Sequence, residues 1–355
     1  MDSNPALARK TRSNLLDAIR ACAVVMVVLY HVAIDFPPAA GDAVALWFRT
    51  YGLFGVDIFF PLSGYLITGF LLKRNSPADI RVFFLRRVFR IMPLYYLALA
   101  TYLVGCLVTG IDRDIIANLW QNALFITGWT IFHAGRETVP FTITWSLSVE
   151  EFAYILVGLS ALVLRGRLAS VLALFALGAI ALRVWINFNG WPNAYFYPPA
   201  RLDSIMLGGL LAWAHQRRYP VLVPMLVALA VGIWIAGQGR IALANTIYVN
   251  ITLGTCLAIH IAQTYLPRMQ DPLSSAIGSL GFYSYFIYLF HYFNIAASGI
   301  IAHRLGLDPN FWIMATGVVL VTYVQAWVSY RIFEGPMMGY GHRLEARGRV
   351  QPPAP

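Results

Sequence analysis

Residues 16–35 read LDAIRACAVVMVVLYHVAID, an apolar run with an arginine near one end and a histidine and an aspartate near the other. Twenty mostly apolar residues are enough to cross a bilayer as a helix. Arg20 and His31 are separated by ten residues, so on a helix they lie within about 20° of one face and roughly 16 Å apart along the axis. Ionisable groups inside a span are costly to keep there and mark candidate functional positions. Asp35 follows His31 by one helical turn and is a candidate to hold one of its ring nitrogens.

The remainder of the chain extends the same pattern. Of 355 residues, 59% are hydrophobic and 12% charged, about half the charge of an ordinary soluble domain. The expected fold is an all-α integral membrane protein, a bundle of about ten transmembrane helices near 16–34, 51–72, 88–110, 143–164, 168–187, 202–215, 220–237, 246–265, 282–302 and 311–333. An amphipathic stretch from Ile115 to Phe132 reads as a re-entrant or interfacial helix. The net charge of +10 is placed by topology and gives no reason to expect nucleic acid. Lys73, Arg74, Arg81, Arg86, Arg87, Arg90, Arg165, Arg167, Arg217, Arg218, Arg268, Arg331 and the basic ends fall on one side. Arg49, Arg113, Arg136, Arg201, Arg240 and Arg304 fall on the other. This asymmetry puts both termini in the cytoplasm. The expected layout is a tail over 1–14, one membrane domain over 15–335, and a basic, proline-rich, disordered tail over 336–355. The three cysteines lie in apolar runs and read as packing residues, with no metal-type spacing.

Polar residues within the spans form two groups. On the outer side, Asp57 in GVDIFFPLSGY starts the second span at a depth similar to His31 and is a second candidate partner for it. In TITWSLSVEEFAYI, Ser146 and Glu150 share one helix face, with Glu151 beside them. Arg201 and Asp203 open a later helix and could bind a polar acceptor or pair with each other. His291, with Ser284 and Tyr288 on one face, reads as a hydrogen-bonded core histidine. On the inner side, Arg86, Arg87 and Arg90 in RVFFLRRVFR form a cluster whose guanidinium forks suit phosphate oxygens.

These segments together resemble acyltransferase family three, the bacterial polytopic membrane O-acyltransferases that modify O-antigen, exopolysaccharide and macrolides. Arg20 and His31 match the family's first motif, although Ala18 and Ile19 stand where LDGLR is usual. GVDIFF, RRVFR and WSLSVEEFAY match the next motifs, and RLDSIMLGGLLA, SYFIYLFH and YRIFEGP the later ones. No esterase-like extracytoplasmic domain is expected after the tenth span, unlike in some members.

The resemblance implies transfer of an acetyl group from cytoplasmic acetyl-CoA, a substrate and not a bound cofactor, to a hydroxyl of a carbohydrate or lipid-linked glycan. The setting would be the bacterial inner membrane, among its lipids, with no metal. It makes His31 the general base and places Asp35, Asp57, Ser146 and Glu150 in the catalytic group. Arg20, Arg86, Arg87 and Arg90 would hold the CoA phosphates, and Trp145, Glu151, Arg201 and Asp203 the acceptor. A small-molecule acceptor such as a macrolide is the alternative substrate. A proton-coupled transporter or flippase using His31, Asp57 and Glu150 is the alternative class.

Overall fold

The computed structural model describes residues 14–73, 76–266 and 272–350, and every long regular element among them is a helix. In chain order these are α1 (Asn14–Asp35), α2 (Ala43–Tyr51), α3 (Gly55–Lys73), α4 (Pro77–Thr109), α5 (Leu119–Ala123), α6 (Thr127–Ala134), α7 (Trp145–Val163), α8 (Leu168–Phe188), α9 (Leu202–Gln216), α10 (Leu222–Ala236), α11 (Arg240–Thr264), α12 (Pro272–Phe282), α13 (Ser284–Arg304), α14 (Phe311–Ser329) and α15 (Gly335–Val350). Among the described residues, eight helical stretches are long and apolar enough to cross a membrane. The two remaining expected spans are α9 and α10, of 15 residues each, about 22 Å long against a hydrocarbon layer of about 30 Å. The expected tail over 1–14, apart from Asn14, and Arg74, Arg268 and residues 351–355 lie outside the described residues.

The chain divides into two compact units, Met1–Phe59 with Leu257–Tyr323, and Phe60–Cys256 with Val324–Pro355. In the first, α1 is the central element, with Ala23, Val24, Val27, Val28, Val32 and Ala33 fully buried. α2, α12 and α13 pack around it. Glycine permits the closest approach, because a Cβ on Gly281 of α12 would lie 1.7 Å from the Asp17 carbonyl oxygen. The segment from Gly52 to Gly55 seats against Met26, Tyr30, Ala23 and Val27 in the same way.

In the second unit, α4 starts with a capping box between Ser76 and Asp79 and Pro77 in its first turn, a strong local start signal. Gly110 in the left-handed conformation (φ 78°) ends it. α3 and α9 cross backbone to backbone: a Cβ on Gly64 would lie 1.8 Å from the Ile205 oxygen, and one on Gly208 1.9 Å from the Pro61 oxygen. Such contacts are how small residues let membrane helices pack without a hydrophobic driving force between them.

Two sequence expectations are corrected here. The stretch from Ile115 to Phe132, expected as a re-entrant or interfacial helix, is not one continuous helix. It is broken into α5 and α6, with Phe125 at φ 57° between them, and it packs inward through buried polar side chains. Asn122 donates to the Phe141 carbonyl (2.8 Å) and to Thr144 Oγ1 (2.9 Å), and Tyr95 donates to the Asn122 carbonyl (2.7 Å). Nor is the segment after Glu334 disordered. Residues 335–350 form α15, which follows a π-helical turn over Tyr330–Glu334 and packs on α4. Phe89 lies against the open face of Gly341 and the ring of Tyr340, and Arg86 bonds Glu345. Its low apolar content hid it, because the partner surface comes from 250 residues earlier in the chain.

Candidate functional site

In the first unit, α1 and α13 bring His31 and His291 together. His31 Nδ1 lies 2.9 Å from the Val27 carbonyl oxygen and 3.2 Å from His291 Nε2. His291 is fully buried, and its own Nδ1 lies 3.1 Å from the Ile287 carbonyl oxygen. The rings of Tyr30, Tyr288 and Tyr292 surround the pair. His31 Nδ1 thus faces a carbonyl and a second imidazole. Asp35 sits exposed at the end of α1.

Asp57 is fully buried, but not at the depth of His31. Gly52 packs on Tyr30 and Met26, and Gly55 on Val27 and Ala23. That antiparallel register sets Asp57 level with about Ala23, roughly 12 Å along the axis from His31 and closer to Arg20. The expectation that Asp57 orients His31 gives way to this register. Arg20 pairs at 2.5 Å with Asp17, one turn earlier on α1, a partner the sequence reading passed over.

In the second unit, Glu150 of α7 accepts hydrogen bonds from Ser63 Oγ (3.1 Å) and from Tyr154 OH. Ser146 is buried on the same helix, and Glu151 beside Glu150 is half-buried. Tyr154, one turn after Glu150, was available from helical spacing; Ser63 was not. The Tyr154 ring carries the Arg87 guanidinium on its face, 3.8 Å from the centroid. Arg86, Arg87 and Arg90 line one cleft of about 150 Å³, whose other walls are Leu66, Ile67, Phe70 and Phe83. This is the arginine cluster expected from the sequence. Arg86 is held in a bidentate bond by Glu345 (2.9 and 3.1 Å). A carboxylate thus occupies the fork that a phosphate would take.

Arg201 and Asp203 are both fully buried. Asp203 is bound at both oxygens by Arg183 of α8 (3.0 and 2.8 Å), which also donates to the Ala200 carbonyl (2.7 Å). The acceptor role expected for Asp203 is corrected accordingly: its carboxylate is committed to a structural ion pair. Arg201 lies 4.1 Å from the centroid of Tyr248 and 5.1 Å from that of Tyr195. Trp145 packs on Tyr195 and on Phe60. Arg183, Tyr195 and Tyr248 were missed as members of this group. Arg183 alone gave a signal, as a cation inside a span.

A chain whose described residues include eight span-length helices, with charged groups held among them, is a multi-pass membrane protein. It belongs to the Acyltransferase domain family, the third acyltransferase family, whose model matches residues 14–331. The chain is 30% identical over 387 residues to a protein of Bacillus subtilis provisionally named peptidoglycan O-acetyltransferase YrhL, covering 94% of this chain and 56% of that one. It is 25% identical over 365 residues to the peptidoglycan O-acetyltransferase OatA of Listeria monocytogenes, covering 92% and 56%. It is 27% identical over 358 residues to a Komagataeibacter xylinus protein provisionally named membrane-bound transacylase BcsY, covering 96% and 86%. The chain thus spans little more than half the length of YrhL and OatA. No solved structure matches it.

Proposed function

We propose that this membrane acyltransferase moves an acetyl group from acetyl-CoA to a hydroxyl of a cell-envelope glycan, with His31 as general base. In the bacterial inner membrane the donor would come from the cytoplasm. The names of OatA and YrhL point to a peptidoglycan-type sugar as the first acceptor to test. His31 takes the hydroxyl proton as the acceptor oxygen attacks the thioester carbonyl. The C–S bond then breaks, and the departing CoA sulfur receives that proton from the imidazolium. Arg86, Arg87 and Arg90, which line one small cleft, bind donor phosphates. Glu150, fixed by Ser63 and Tyr154, is a negative group that can position a hydroxyl.

The observation that carries this reading is the arrangement at His31. One ring nitrogen lies against a backbone carbonyl, which supports acceptor chemistry at the other. The test is acetyl transfer from acetyl-CoA to a muropeptide-derived oligosaccharide, read by mass spectrometry in a glycan-free detergent or nanodisc preparation. An added acetyl mass that depends on His31 supports the proposal. Transport of the sugar without covalent change would overturn it.

A further inference from the structure

The sequence reading left His291 as a core residue, and the reaction as written above does not use it. Its geometry gives it a task. A carbonyl oxygen only accepts hydrogen bonds, so an imidazole nitrogen 2.9–3.1 Å from one must carry a proton. That condition applies at Nδ1 of both rings, at the Val27 oxygen for His31 and at the Ile287 oxygen for His291. A neutral His291 protonated at Nδ1 has its lone pair on Nε2. This is the atom 3.2 Å from His31 Nδ1.

We propose that His291 is a positioning residue for the acyl transfer. Its Nε2 accepts from His31 Nδ1–H and, with the Val27 carbonyl, fixes His31 in the tautomer whose lone pair is on Nε2. The inference rests on His31 being the general base. When His31 Nε2 takes the acceptor proton, the ring becomes an imidazolium, and its Nδ1–H then donates more strongly to the two acceptors already in place. A carboxylate does this in hydrolytic triads; here a neutral imidazole and a carbonyl share the work. Being uncharged, they hold the ring without adding a negative charge inside the span. Tyr30, Tyr288 and Tyr292 are the titratable side chains whose rings contact the pair. Asp35 lies one turn along α1, exposed.

Two variants separate positioning from packing. His291→Gln can present an amide oxygen near the place of Nε2, whereas His291→Leu fills the space with no acceptor. The full chain is labelled with ring-¹⁵N histidine in nanodiscs, and the His31 and His291 signals are assigned by single variants. The expected spectrum shows His31 protonated at Nδ1, with a coupling from that nitrogen to His291 Nε2. The Gln variant keeps the His31 tautomer and the Leu variant lets it mix.

In acetyl-CoA turnover, His291→Leu should lose kcat roughly a hundredfold with little change in KM, and His291→Gln should stay within about tenfold of wild type. A His31 proton on Nε2, or the lack of coupling between the rings, overturns the proposal. So does equal activity in the Gln and Leu variants at equal thermal stability. If the wild type turns over no acetyl-CoA, the functional reading fails, and the nitrogen spectra still decide the pairing.

Discussion

At the scale of single residues, charged groups inside this chain divide by what they are bound to. Asp203 and Arg183 are fully buried and joined by two hydrogen bonds. Removing one partner of such a pair leaves a buried charge, so Asp203→Ala should lower stability by about 3–5 kcal/mol, read as a shifted unfolding midpoint. Glu150 is different, because both of its partners are hydroxyls. Glu150→Gln keeps the shape and one oxygen, and should cost activity at least tenfold while the unfolding midpoint stays near that of the wild type. The sequence made His31, Glu150 and the arginine cluster legible, since each is a polar residue where composition expects none. It paired them poorly. Helical spacing offered Asp35 for His31, whereas the observed partner comes from α13, 260 positions away. Local periodicity carries no information about such pairings.

At the scale of elements, the α3–α9 crossing rests on two glycines, and α15 rests on a carboxylate and two aromatic rings. Gly208→Leu should prevent recovery of folded protein, because its side chain would collide with the Pro61 backbone. Gly105→Ala, which meets nothing within 4 Å, should be recovered at wild-type yield by size-exclusion chromatography. Glu345→Gln should release Arg86 from α15. The pair is partly exposed, with 40% of the Arg86 side chain accessible, so the gain in CoA affinity should be about fivefold at most by calorimetry. Long apolar helices were readable because a span needs a continuous run. α5, α6 and α15 were not, because each is short or polar and is specified by what it packs on. α9, expected as a span, is a 15-residue helix buried on most of its surface.

At the scale of the whole molecule, the ten spans expected from the sequence would place the two termini on one face. The asymmetry of the basic clusters predicts that this face is cytoplasmic. A fluorescent protein fused after Pro355 should therefore fold and fluoresce, and a phosphatase that needs the periplasm should be inactive at the same position. The family accounts for a membrane acyltransferase, and the structure adds where its polar groups meet. The central claim is that His31 and the arginine cleft serve one acyl-CoA reaction. It is tested most directly by CoA release from acetyl-CoA with purified wild type, His31→Ala and Arg86→Ala in nanodiscs. The account predicts release by the wild type, none above background with His31→Ala, and a raised KM with Arg86→Ala. Equal release from wild type and His31→Ala, both well folded, would contradict it.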